Sequence, residues 1–405
     1  MALRTYVQGV FSDSERKSMQ AMLGRVTEPV SYQAFQHFIT HAPWDADRVW
    51  RRLRAIIPER RGVLILDGTS FPKQGVASVG AGRQYCGALG KIANCQVATT
   101  VALWTGVRAW CLGATLYLPD TWLTAEQRQR ARIPAAVDFQ EKWRHALRLL
   151  RQVRAAGFTI TAVLGDAEFG DVTVLRAVLH RLRLPYALGI SSTLTVFLGR
   201  PRLVAPVPRG DGLGRPRSRP RIVDPPVAVA AVARQLPASA WRSISWRNGT
   251  QPRRRARFAA VRVTPATGWR AGRLAPVIWL LCEREADGHL KYYFVHLPPR
   301  TALRHLVTLA HQRWAIEQQY QELKSELGLD HFEGRTYPGW QHHVVLTAVA
   351  HAYLQRERMR RGATGLTFPA VRAIVQEIFT ALLFAAKPQY MHWMEQAKHK
   401  LQLRI

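Results

Sequence analysis

Acidic side chains are scarce in this sequence. Of 405 residues, 27 are Asp or Glu against 58 Lys or Arg, a formal net charge of +31. A compact protein holding that excess repels itself unless a polyanion is nearby. Nucleic acid is the commonest such partner, because each neutralised phosphate releases condensed counterions. A high-GC genome, in which arginine is frequent, is the competing source of the excess. An anionic membrane surface fits less well, since no long amphipathic basic helix stands out. Cysteine is equally sparse. Cys86, Cys95, Cys111 and Cys282 follow no C-x2-C zinc spacing, and a disulfide framework does not suit a chain this large. A reducing compartment is expected. Long hydrophobic runs are missing too: TALLFAA at 380–386 falls far short of the ~20 residues that span a bilayer. The opening MALRTYVQGVFSDSERK holds no apolar stretch of the kind a signal peptide needs.

What is present supports a folded protein. Hydrophobic residues make up 47%, with 13 Trp, so a sizeable core is available, and the length suggests two or three structural units. Residues 1–60 read as helical. Ser14, Glu15 and Lys17 open an amphipathic stretch, Tyr32 to Ile39 forms another, and DADRVWRRLRAII at 45–57 places its apolar residues at helical spacing. This region is either a DNA-binding head or a helical cap. RGVLILDGT, CQVATTVALWT and AWCLGATLYLP read as strands of an antiparallel meander, and the Gly-rich segment between the first two reads as a loop. Residues 124–158 are helical with an Arg-rich exposed face. FTITAVLGDAEFGD is a strand ending in acidic residues, DVTVLRAVLHRL a helix and PYALGISS another strand, a βαβ unit.

The order meander, helix, strand, helix, strand predicts an α/β protein with an RNase H-like mixed sheet flanked by helices. The expected divisions are a helical N-terminal region (1–60), the first part of the core (61–194), a basic Pro/Gly/Arg loop and a mostly β insertion (195–297), core completion with a long helix (298–350) and a C-terminal helical region (351–405). No internal repeat is found.

Three carboxylates stand out. Asp67 follows the apolar run VLIL and Asp166 follows TAVLG. Rigid strand ends suit carboxylates that share a metal site, although an acid after a strand is more often a turn or cap residue. Glu317 lies in HQRWAIEQQYQELKSELGLDHF, where Arg313, Glu317, Tyr320 and Lys324 are spaced i, i+4, i+7, i+11 and so share one helix face. Arg313–Glu317 could equally be a surface ion pair. Glu322 falls five residues past Glu317, on a different face. Glu168 is placed as a neighbour of the site, Asp171 as the cap of the next helix, and His331 as a contact to DNA or metal or a helix-end packing residue.

These blocks resemble the DDE transposases of bacterial insertion sequences, marked by Y-x2-R-x3-E-x6-K. Arg313, Glu317 and Lys324 match that spacing. GLDHFEGRTYPGW resembles the segment after the catalytic Glu, LDGTSFPKQG the first-Asp block and VLGDAEFGD the second. The resemblance runs from about Glu15 to Ala350. It departs at Ala310, where the signature has Tyr, so a ring and a hydroxyl are lost. The resemblance implies an RNase H-like core in which Asp67, Asp166 and Glu317 are catalytic and bind two Mg2+ or Mn2+ ions. Hard oxygen ligands suit those cations, and a pair ~3.5–4 Å apart clamps both oxygens of an in-line phosphoryl displacement. Arg313 and Lys324 would hold phosphates, with Tyr320 and Lys73 as further DNA contacts. The 151 positions between Asp166 and Glu317 exceed what one helix and strand need. The surplus is the β insertion, which in similar transposases contributes DNA contacts and an aromatic that stacks on a flipped base. Trp246, with Trp241 and Trp269 beside it, is the candidate. The partners implied are double-stranded DNA, at element ends and target, and a second copy of the chain to pair two ends; no membrane partner is expected. The location implied is the bacterial cytoplasm, at the nucleoid. A metal-dependent endonuclease without strand transfer and an inactive DNA-binding relative remain as alternatives.

Overall fold

A computed structural model describes residues 1–12, 14–205, 220–246, 254–267, 274–360, 365–389 and 391–392. Trp269 and most of the basic loop lie outside the described residues.

Four helices open the chain: α1 (Ala2–Phe11), α2 (Met19–Leu23), α3 (Tyr32–Thr40) and α4 (Ala46–Ile56). Ser18, Ser31 and Asp45 cap the last three through their side chains, satisfying amides that a helix start leaves open. Strands β1 (Arg61–Pro72), β2 (Gly82–Cys86), β3 (Lys91–Trp104) and β4 (Ala109–Tyr117) follow. β1, β3 and β4 form the expected meander. The Gly-rich segment differs from expectation, because its centre pairs with β3 as β2. Its glycines mark the turns instead: Gly80 and Gly90 have φ of 76° and 64°, the left-handed region that favours glycine, while Arg83, Gln84 and Tyr85 between them are free to extend.

Helices α5 (Ala125–Ala131) and α6 (Lys142–Ala155) are separate rather than one run. Arg132 turns into the left-handed region at φ 55°, and Ile133 precedes Pro134, which disfavours helix at that position. Next come β5 (Thr159–Gly165), α7 (Ala167–Gly170), α8 (Thr173–Arg181) and β6 (Tyr186–Ile190). β1, β5 and β6 are parallel neighbours. β1 is buried along both faces at Val63 to Leu66, as its unbroken apolar run requires of a central strand.

The chain continues through β7 (Thr195–Leu198), β8 (Leu203–Val204), β9 (Arg221–Ile222), β10 (Val227–Ala228) and α9 (Val229–Gln235), then β11 (Arg242–Trp246), β12 (Arg254–Pro265), β13 (Ile278–Arg284) and β14 (Leu290–His296). β14 pairs antiparallel with β6, so among the described residues these strands extend the same sheet to twelve, with β8 and β9 forming a separate pair. Among the described residues, α10 (Leu303–His311), α11 (Trp314–Gln321), α12 (Tyr337–Glu357) and α13 (Phe368–Ala386) follow.

Two apolar layers flank the sheet. One holds Leu64 and Leu66 of β1 with α6, α12 and the N-terminal helices; the other holds Val63 and Ile65 with α10 and α11. The N-terminal helices pack on α12: His342 hydrogen-bonds the carbonyls of Ile39 and Trp44 at 2.7 and 3.0 Å. α13 is long and apolar enough to cross a membrane by length and composition, which no single run in the sequence suggested. It carries Arg372, paired with Glu326, and packs on α1 and α12.

Candidate active site

The parallel register of β1 and β5 aligns Ile65 with Leu164. Asp67 and Asp166 each stand two residues farther on, so they emerge side by side at the same sheet end. Asp166 also caps α7, its Oδ1 accepting from the Glu168 amide at 3.1 Å. That turn is held tightly, because a Cβ at Gly170 would lie 1.7 Å from the Gly189 carbonyl oxygen on β6. Glu168 folds back toward β1: Lys142 pairs with its Oε1, and its Oε2 sits 3.2 Å from where a Gly68 Cβ would be. Asp171 does not cap α8. Val172 holds that position without a side-chain bond, and Asp171 accepts instead from the Ser191 amide at 2.9 Å and from its hydroxyl.

The helix bearing Glu317 breaks at Gln312, so Arg313 opens α11 instead of continuing α10. Arg313 then bridges the sheet and its own helix. Its Nη1 lies 3.4 Å from Asp67 Oδ1 and its Nη2 3.0 Å from Glu317 Oε1. Asp67 is nearly enclosed, with a side-chain exposure of 10%, whereas Glu317 is open at 67%. Burial pushes the Asp67 carboxyl up to about 7; Arg313 opposes that, while Asp166 and Glu317 add to it as like charges. Burial works against the charge on Arg313, but Asp67, Glu317 and Asp166 together hold its pKa above the ordinary value.

The other expected contacts are placed variously. Tyr320 faces the sheet, its hydroxyl 2.5 Å from Thr100 Oγ1 on β3. Lys324 donates to the Ser70 carbonyl on β1 at 3.0 Å and lies near the Phe71 ring. Lys73 donates to the Phe332 carbonyl at 2.5 Å. Burial lowers the pKa of both lysines. His331 accepts from the Lys17 amide at 3.1 Å through Nδ1. Trp246 lies on a cleft of about 520 Å³ that also holds Ala310, His311, Arg313 and Glu317. Its ring packs on His311 at 4.1 Å. Trp241 is buried beneath Arg284.

Sequence reasoning missed two parts of this neighbourhood. Lys142 reaches the acidic cluster from α6, across a loop that local patterning does not describe. Tyr293 lines the cleft beside Ala310 and donates to the buried Glu283 at 2.9 Å, with His311 3.4 Å from the other oxygen of that carboxylate. The cleft therefore has a phenol although position 310 supplies none. Neighbouring β strands brought these groups together, and no spacing in the sequence records that.

Among the described residues, no three His, Cys, Asp or Glu side chains are grouped closely enough to hold a metal ion. The donor chemistry still suits one. Asp67 is buried beside two like-charged carboxylates, which raises its pKa, and a hard cation would relieve that repulsion more completely than one guanidinium. Such a cation would require Arg313 to move off the Asp67–Glu317 pair.

A mixed sheet whose neighbouring parallel strands present two aspartates, with a third carboxylate on a helix packed across them, is RNase H-like. The family described as DDE superfamily endonuclease matches residues 1–253, and the chain belongs to it. It is also 32% identical over 189 residues to a protein of Microchaete diplosiphon described as a probable transposase for insertion sequence element IS701. That match covers 45% of this chain and 47% of the relative, about half the length of each.

Proposed function

We propose that the chain is a transposase that cuts DNA strands at the ends of an insertion sequence and joins the freed 3′ ends to target DNA, acting in the bacterial cytoplasm as a homodimer that pairs two ends. One observation carries the reading: the β1–β5 register brings Asp67 and Asp166 to one sheet end, and Arg313 ties Glu317 to the same place. Asp67, Asp166 and Glu317 are the groups that would hold two Mg2+ or Mn2+ ions. Bound there, such ions would lower the pKa of the attacking water or 3′-hydroxyl and neutralise charge on the transferring phosphate. Arg313, released from Asp67, can grip a phosphate with two parallel hydrogen bonds. Tyr320 keeps α11 against β3, and so keeps Glu317 in register with Asp67. Lys324 and Lys73 supply positive charge at the rim, and Trp246 offers a face to a base in the cleft.

The test is direct. Asp67→Ala, Asp166→Ala and Glu317→Ala should each abolish Mg2+-dependent cleavage of the element's end sequence while leaving DNA binding largely intact. Normal cleavage by any one of them removes that residue from the site. An assay for joined products separates transposition from cleavage alone, and a wild-type chain that binds ends but never cuts with Mn2+ overturns the reading.

A further inference from the structure

After Gln321 the helix carrying Glu317 does not continue as α-helix. Glu322–Glu326 form a π-helical turn, a rare geometry that recurs at functional sites. Two residues past the turn stands Gly328, whose φ of 69° and lack of space for a Cβ both demand glycine. At its head lies a carboxylate with unusual surroundings. Glu322 is 6% exposed and accepts from three directions: His351 Nε2 at 2.9 Å and Gln355 Nε2 at 3.0 Å, both on α12, and Gln318 Nε2 at 3.3 Å on its own helix. Gln355 is held in turn by Arg358 at 2.8 Å, and His351 stacks on Phe368 at the start of α13. A buried carboxylate is costly unless fully hydrogen-bonded, and apolar packing would anchor two helices without that cost. What the carboxylate adds is direction, because three donors converge on one pair of oxygens.

We propose that Glu322 is a positioning residue for the candidate active site. Clamped by His351 and Gln355, its carboxylate fixes the π turn. That turn aims Lys324 at the Ser70 carbonyl, three residues beyond Asp67 on the same strand, and sets the rotation of α11 that presents Glu317. The inference rests on the reading of Glu317 as a catalytic carboxylate. Glu322, His351 and Gln355 act through Glu317 and Lys324, not on the DNA itself.

The experiment uses the full chain with Glu322→Gln, Gln355→Glu and the double exchange. Glu322→Gln removes one of the two acceptor oxygens, so an amide faces either Gln318 or the His351–Gln355 pair. Gln355→Glu sets two carboxylates against each other; the double exchange restores one amide–carboxylate pair across the same gap. The expected result is that Glu322→Gln cleaves a pre-bound DNA end ~10- to 100-fold more slowly, the scale of an ångström-sized misplacement. DNA affinity stays within about twofold, and the double exchange recovers most of the rate. Lys324 labelling by reductive methylation, read by mass spectrometry on the DNA-free protein, should rise in Glu322→Gln and return in the double exchange. This readout needs no catalysis, so it stands apart from the proposed function: inactive wild-type protein with the labelling pattern intact overturns only that function. Wild-type cleavage and unchanged Lys324 labelling in Glu322→Gln overturn the positioning role. So does a rate loss that merely follows a fall in thermal stability and is not recovered by the double exchange.

Discussion

Asp67 should make the metal-free protein less stable at neutral pH, and neutralising it should reverse that. Burial and its neighbours raise its carboxyl from 3.8 to about 7. Because the folded value lies above the unfolded one, the fold takes up a proton. The associated stability is full below about pH 4 and is lost as pH rises through about 7. The difference between the two values corresponds to about 4 kcal/mol at ~1.4 kcal/mol per pH unit. Asp67→Asn keeps an oxygen for Arg313 but cannot ionise. In EDTA at pH 8 it should therefore be more stable than wild type by up to about 4 kcal/mol, an advantage that disappears below about pH 4. Chemical denaturation across pH measures this, and adding Mg2+ completes it: the wild type should gain stability and the variant should not. A variant no more stable than wild type at pH 8, or equal gains from Mg2+, would refute the assignment of Asp67 as a buried, cation-seeking group.

Two further outcomes are expected. Arg144, Arg148 and Arg151 are exposed along α6, which starts at the Lys142–Glu168 pair. If DNA runs over this face, changing all three to Gln should flatten the plot of log affinity against log salt by roughly 0.9 for each phosphate no longer neutralised; an unchanged slope would exclude this path. Gly170→Ala forces a methyl into the Gly189 carbonyl and should cost about 3 kcal/mol or more in a denaturant titration, with cleavage lost as Asp166 shifts.

Much of this arrangement was legible in the sequence because it is local. VLILD and AVLGD announce strand ends through an apolar run and a polar stop, and Arg313, Glu317, Tyr320 and Lys324 announce a shared face through helical spacing. All four do turn toward β1, β3 or one another in the structure. What stayed hidden depends on distant partners. No Pro or Gly stands at the break at Gln312 or at the head of the π turn at Glu322, so neither is announced locally. Glu322 read only as an acid off the Glu317 face, because His351 and Gln355 lie about thirty residues downstream. Asp171 looked like a cap because Ser191 was not visible as its competitor.

The point where the chain leaves and rejoins the half of the sheet that carries Asp67 and Asp166 has an evolutionary meaning. Ile190, at the end of β6, is paired directly with Tyr292 of β14, so the whole excursion between them starts and finishes at one cross-strand pair, roughly 5 Å apart. Doubling the length of such a loop costs only about 0.6 kcal/mol in closure entropy. Loops within that segment can therefore change length at little entropic cost while β1 and β5 keep their register, provided Ala256, Phe258 and Leu281 still cover α10 and α11.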